Sequence, residues 1–372
     1  VTDIFPPDIG GPATFIDTLA HRLVEKGMRP TVVCRTARPT RKYDAERPFA
    51  VRRATLPGPL RAPAPIPVLA AEMLRHPVVL VNGLEIQAYW AARLARRRYM
   101  LKVVGDIAWE AVRLAGISDI SIDDFQRDPP DHPLARKLIA RRLAFVVAAA
   151  RVVTPSEYLR QMVIGWGKRP EDVVVVRNGA EPGAIAGSVR PRAEGEKLRL
   201  AFAGRLVNWK GVETLLLAMA GLSGVEATIV GDGPDWPLLN LLAEQLKLRG
   251  VSVHFTGRLG KDGLHAVLEN AHALVLGSSY EGMSHTIVEA MMHGLPAIAS
   301  DCGGNVELVR DGVDGLIHPF GDVAALIAAI ARLRDDETER QTMAAAALAR
   351  TPEFDFARTV DGTMAQLLDM AR

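Results

Sequence analysis

The sequence predicts an α/β protein of two doubly wound parallel-sheet domains that face each other across a cleft. Three observations carry that expectation. Short apolar runs alternate with amphipathic helical stretches. The alternation halts between Glu181 and Lys197, in a segment rich in Gly, Pro and charge, and then restarts. The chain, at 372 residues, is long enough for two separate cores. The first series of strand-like runs is Arg29–Cys34, Val78–Val81, Tyr99–Val104, Arg151–Thr154 and Val173–Val176, separated by helical patterns such as Thr14–Lys26 and Leu134–Ala150. The second is Leu198–Phe202, Glu226–Val230, Val251–Phe255, Ala273–Leu276, Ala297–Ala299 and Leu316–His318. The expected domains are residues 1–180 and 181–353, followed by a helical stretch over 354–372. Parallel strands joined by helices collect ligands beyond their carboxyl ends, so site residues are sought there.

Composition narrows the function classes. A hydrophobic fraction of 48% with 24% charge is that of an ordinary globular chain rather than a disordered one. Two cysteines, Cys34 and Cys302, cannot build a disulfide framework, and no Cys/His cluster has zinc-ligand spacing. The chain shows no basic-then-apolar leader and no apolar window approaching about 18 residues, so a cytosolic protein is expected. The net charge of +2 hides a division: residues 1–180 carry ten more basic than acidic side chains, and the rest eight more acidic than basic. Such asymmetry marks a half that meets an anionic membrane or another polyanion. Nucleic acid is disfavoured, because no aromatic-studded basic groove or recognition motif accompanies the charge.

The richest stretch for chemistry is Ser278 to Asp301, SSYEGMSHTIVEAMMHGLPAIASD. Gly277, Ser278, Ser279 and Gly282 allow the backbone a tight turn after the run Ala273–Leu276, and Ser284 is a good N-cap for a helix that follows. The unpaired N–H groups at that helix start suit an anion such as a diphosphate. Glu281 in the loop and Glu289 two turns into the helix would then accept hydroxyl hydrogens on either side of the phosphates, as a nucleotide-sugar demands. The alternative is a capped helix with solvated glutamates. Arg205 and Lys210, just past the run Leu198–Phe202, can project from a strand end and neutralise a departing diphosphate. The alternative is a pair of surface cations.

This region resembles the C-terminal half of family 4 of the retaining glycosyltransferases, enzymes of the GT-B architecture. The resemblance runs through Glu289–Asp301 and Gly303-Gly304-Asn305-Val306-Glu307, and upstream through Ala203–Gly211, Val230-Gly231-Asp232-Gly233-Pro234 and Phe255-Thr256-Gly257-Arg258. In the N-terminal half it takes in Phe5–Gly11, Val153-Thr154-Pro155-Ser156-Glu157 and Arg177-Asn178-Gly179-Ala180, so it covers nearly the whole chain in the family's order. It implies a nucleoside-diphosphate sugar as donor and a hydroxyl-bearing acceptor, with no obligatory cofactor. Arg205, Lys210 and Gly204 would sit at the diphosphate and Glu281 at the donor hexose. Gly282, Met283 and Ser284 would offer backbone to the phosphates and sugar, and Glu289 would hold the ribose hydroxyls. Arg258 and Leu259 would hold the base, and Gly10 and Gly11 would form a loop that approaches the donor phosphates and the acceptor. Asp232 is read equally as a tight-turn residue. The implied mechanism is front-face displacement with retention, the departing phosphate taking the acceptor proton. No Asp-x-Asp pair follows a strand in the manner of metal-dependent transferases, so no divalent cation is expected.

Two departures stand out. Relatives often place a histidine after the strand corresponding to Tyr99–Val104, whereas here the chain reads Gly105-Asp106-Ile107-Ala108-Trp109-Glu110. Asp106 either accepts a donor or acceptor hydroxyl or caps the helix that follows. Relatives also carry a buried strand ahead of the Pro6–Gly11 loop, where only Val1–Phe5 stands here, so the first strand of the N-terminal sheet is expected to be missing or truncated.

Two basic segments, Arg93, Arg96, Arg97, Arg98 with Lys102, and Arg136, Lys137, Arg141 and Arg142, allow a peripheral position at the inner face of a membrane, with Ile86, Tyr89, Trp90 and Leu94 as apolar anchors. The other reading is helix ends complementing their dipoles. His285 and His293 are read as packing or solvent residues. The rival functions are a GT-B epimerase and a non-catalytic nucleotide-sugar-binding protein. A phosphorylase would need a pyridoxal-lysine motif and a dehydrogenase G-x-G-x-x-G after a strand, and the sequence shows neither.

Overall fold

A computed structural model describes residues 1–8, 11–35, 44–54, 61–180, 188–247 and 250–371. The chain divides into two compact units, Val1–Val176 with Thr359–Arg372, and Arg177–Arg358. Of the expected linker, residues 181–187 lie outside the described residues, and 188–197 form neither helix nor strand.

In the first unit β1 (Thr31–Cys34) pairs with β2 (Ala50–Arg53), and β3 (Leu80–Val81), β4 (Met100–Lys102), β5 (Arg151–Thr154) and β6 (Val173–Val175) form a sheet in that order. Every pairing is parallel. Thr2 makes isolated parallel bridges to Cys34 and to Asn82, and the Val1 amino group donates to the Leu80 carbonyl at 2.7 Å. Beside this short segment lies an apolar cavity of 400 Å³ lined by Val1, Leu19, Val33, Met73, Leu80 and Met364, among others. The strand β2 has no counterpart in the sequence reading. Its four residues, Ala-Val-Arg-Arg, are half charged, and Arg53 forks onto both oxygens of Asp44 at 2.7 Å, which makes them an edge strand that hydrophobicity cannot reveal. The last helix, Phe356–Ala371, holds to this unit by polar contacts from Arg151 to Gln366 and Asp369, at 2.7 and 2.8 Å.

The second unit is a six-stranded parallel sheet. Its strands are β7 (Leu198–Ala203), β8 (Val225–Val230), β9 (Ser252–Gly257), β10 (Ala273–Leu276), β11 (Ala297–Ser300) and β12 (Gly315–His318), in the order β12-β11-β10-β7-β8-β9. Strands β10 and β11 are buried at every residue, as a parallel strand covered on both faces requires. Boundaries differ from the sequence reading by a residue or two, the ordinary fraying of element ends. No helix among the described residues is long and apolar enough to cross a membrane.

Candidate active site

The carboxyl ends of β7, β8 and β9 in the second unit open onto a pocket of 580 Å³. Gly204, Arg205, Asp232, Arg258, Leu259 and Thr286 are among the residues that line it. Backbone forms two of its walls. Gly231 has φ 144°, and a Cβ there would lie 1.8 Å from the Gly204 carbonyl oxygen, so no side chain fits where the two turns press together. Arg205 is exposed and enters no ion pair among the described residues. The Asp232 carboxylate accepts the Gly233 N–H at 2.8 Å, which fastens its own turn.

Next to this pocket the turn after β7 is locked to the loop after β10. The Ser279 N–H donates to the Trp209 carbonyl at 2.8 Å, and a Cβ on Gly211 would lie 2.0 Å from the Gly277 carbonyl oxygen. This contact brings Lys210 Nζ within 2.6 Å of Glu281 Oε1. The same oxygen accepts from Ser278 Oγ at 2.8 Å. The ammonium keeps two further N–H groups for another anion. The loop continues through Gly282, Met283 and Ser284, all buried, and Met283 Sδ accepts the Asn178 N–H at 3.3 Å. Ser284 caps the helix His285–Met292 by accepting from Ile287 N, leaving the first N–H groups of that helix beside the loop.

Glu289 stands one turn beyond Thr286 on the same helix, on the face that Thr286 turns toward the pocket. Burial raises its pKa above the ordinary carboxylate value, and the charge of Lys261 opposes that rise. His293 is buried, as the packing reading expects, and its ring nitrogen lies 2.7 Å from that of His265.

In the first unit Asp106 is fully buried. One carboxylate oxygen accepts from Ala108 N at 2.9 Å and Trp109 N at 3.3 Å, which caps the helix Ile107–Leu114. The other takes Gln126 Nε2 at 2.9 Å and the buried guanidinium of Arg142. Of the two readings of Asp106, these contacts carry the cap, because both oxygens are occupied inside the protein. Gly11 opens the helix Gly11–Glu25, and a Cβ there would meet nothing within 4 Å among the described residues. Gly10 lies outside the described residues.

The basic face also needs correction. Arg142 is buried against Asp106, and Lys102 is buried over the Phe15 ring at 3.6 Å, its pKa pushed down by burial to about 7. Neither can serve an exposed patch. Arg93, Arg96, Arg97 and Arg98 are exposed beside Trp90 and Leu94, which are 49% and 69% exposed. Lys137 and Arg141 are exposed as well, while Arg136 is paired with Asp131 at 2.6 Å. Among the described residues no group of three or more His, Cys, Asp or Glu side chains is placed to hold a metal ion.

Residues 9–183 match the family described as Glycosyltransferase Family 4, and residues 188–350 match Glycosyl transferases group 1. The lipopolysaccharide core biosynthesis glycosyltransferase LpsD of Rhizobium meliloti is 30% identical over 193 residues, covering 52% of this chain and 55% of the relative. A glycogen synthase of Mycobacterium tuberculosis is 34% identical over 209 residues, 54% of this chain and 49% of the relative. The chain thus spans about half the length of these curated relatives. The D-inositol 3-phosphate glycosyltransferase of Nocardia farcinica is 26% identical over 96% of this chain and 84% of its own. Among solved structures, Anabaena HepE in complex with UDP superposes with a TM-score of 0.77 at 20% identity, covering 99% of this chain and 98% of that one, and so shares the fold. The two matched families cover almost the whole chain between them, over a GT-B fold of parallel sheets, and the chain is built of a Glycosyltransferase Family 4 domain followed by a Glycosyl transferases group 1 domain.

Proposed function

We propose that this chain is a retaining glycosyltransferase that moves a hexose from a nucleoside-diphosphate sugar to a hydroxyl acceptor, without a cofactor. The observation that carries the reading is the junction of the Lys210–Glu281 pair, the start of the helix His285–Met292 and the pocket holding Arg205 and Arg258 at one set of strand ends. Arg205, the free N–H groups of Lys210 and the helix-end donors would take up the charge that grows on the leaving diphosphate. Those positive groups can do the work of a divalent cation, and turnover is expected in EDTA. The C1–phosphate bond breaks, the acceptor oxygen bonds to C1 on the same face, and its proton passes to the departing phosphate oxygen. Cys34 and Cys302, neither of which is in a disulfide, suit the reducing cytoplasm, where we place the reaction.

The HepE complexes contain UDP and UDP-glucose, which makes uridine donors the first to test here. A thermal-shift panel of UDP-glucose, UDP-galactose and GDP-mannose, followed by product analysis with anomeric assignment, is expected to give one stabilising donor and an α-linked product from an α-linked donor. Binding without turnover would favour the non-catalytic rival, and release of an epimerised sugar the epimerase.

We also propose that the acceptor is met at an anionic lipid surface through the helix Glu85–Ala95, where Trp90 and Leu94 are exposed beside Arg93 and Arg97. Sedimentation with phosphatidylglycerol-containing vesicles should fall roughly 30-fold in affinity when Arg93 and Arg97 are both replaced by Ala, at about 1 kcal/mol per cation. Equal binding to pure phosphatidylcholine vesicles, or no loss in the double variant, would count against this surface.

A further inference from the structure

The loop that carries Glu281 is tied from behind by buried groups that the proposed reaction does not itself touch. Ser278, Ser300 and Asn305 are all fully buried. Asn305 Nδ2 donates to Ser300 Oγ at 3.2 Å, and Ser300 Oγ donates to the Ser278 carbonyl oxygen. Ser278 Oγ then donates to Glu281 Oε1 at 2.8 Å, the oxygen that Lys210 Nζ reaches at 2.6 Å. The backbone holds the same loop. Gly304 N donates to the Glu281 carbonyl at 2.7 Å, and a Cβ on Gly303 would lie 2.4 Å from that carbonyl oxygen, so the turn at 303–304 fits the loop without slack.

Both of these side-chain donors fall on one oxygen of Glu281, and Oε2 takes no hydrogen bond among the described residues. A carboxylate clamped at one oxygen from two directions has little freedom to rotate, so the other oxygen keeps a fixed aim. We propose that Ser278, itself held by Ser300 and Asn305, is a positioning residue that fixes Glu281 so that Oε2 alone meets a hydroxyl of the donor sugar. The proposal rests on the glycosyltransferase reading and adds to it the residues that make Glu281 competent.

The test compares Ser278→Ala, Glu281→Ala, the double variant and Ser300→Ala, measuring kcat and KM for the donor that the panel selects and calorimetric affinity for its free nucleoside diphosphate. Loss of one hydrogen bond to a charged group should lower kcat about 10-fold in Ser278→Ala, with nucleotide affinity unchanged. Ser300→Ala, acting at one remove, should fall between Ser278→Ala and the wild type. Because Ser278 works through Glu281, the double variant should be no slower than Glu281→Ala alone. A merely structural serine would instead give additive losses and weaker nucleotide binding, and that pattern overturns the proposal. So does wild-type turnover in Ser278→Ala while Glu281→Ala is slow. Normal turnover in Glu281→Ala would overturn the sugar-contact role of Glu281 itself, and this proposal with it.

Discussion

Replacing Asp106 by Ala is expected to destabilise the first unit by about 3–5 kcal/mol, because it strands the buried guanidinium of Arg142 without its counter-charge. The same change removes the cap on Ala108 N and Trp109 N and takes from Gln126 one of its two acceptors, leaving the Ile122 carbonyl. Gln126 in turn accepts Trp166 Nε1 at 2.7 Å, and Arg142 lies over the Trp166 ring at 4.2 Å, so the disturbance reaches the end of the helix Glu157–Gly165. Asp106→Asn keeps an acceptor for the cap and should cost less. Denaturant unfolding measures the effect. A loss under 1 kcal/mol in Asp106→Ala, with turnover abolished, would return Asp106 to the donor or acceptor role that its sequence position first suggested.

The second large effect is expected at the phosphate end of the candidate site. Arg205→Ala and Lys210→Ala should each cost roughly 2–4 kcal/mol of transition-state stabilisation, read as kcat/KM, since each removes a positive group from the developing diphosphate charge. Lys210→Ala carries a further consequence that Arg205→Ala does not, because it also removes one of the two donors that hold Glu281 Oε1. It should therefore alter discrimination between donor sugars, whereas Arg205→Ala should slow all donors alike. Both variants should keep the wild-type melting temperature within a few degrees, for neither side chain lies in the core. Unchanged kcat/KM in either variant would show that the diphosphate lies elsewhere.

The alternation of apolar runs and helical patterns was enough to read two parallel-sheet domains, because strands such as β10 and β11 are apolar throughout and announce their burial. The half-charged strand β2 gave no such signal. At the site, Glu281 and Ser284 were legible as an acid and a cap in a glycine-bearing loop, since both depend on neighbours within a few positions. The pairing of Glu281 with Lys210 was not legible: it spans 71 positions and exists only because β7 and β10 are adjacent in the sheet. Ser278 was read for the freedom of its backbone, and its hydroxyl became meaningful only once that adjacency was known. Two of the basic residues of the first unit, Lys102 and Arg142, leave the exposed set for a related reason. Sequence counts the charge of Lys102 and Arg142, but whether such a charge meets solvent or an aromatic ring and a carboxylate is decided by packing.

The resemblance implies that Glu289 would hold the ribose and Glu281 the transferred sugar, and calorimetry with UDP and with UDP-glucose on the wild type, Glu289→Ala and Glu281→Ala separates these roles from a purely structural one. Glu289→Ala should weaken both ligands by roughly 1.5–3 kcal/mol, the worth of a charged hydrogen bond. In the wild type, UDP affinity should also rise with pH through the raised pKa of Glu289, because the protonated carboxyl loses acceptor capacity, and Glu289→Gln should flatten that profile. Glu281→Ala should leave UDP affinity unchanged and reduce only the difference between UDP-glucose and UDP. Equal and small effects from both substitutions would contradict the account and leave the two glutamates as polar residues of a capped helix.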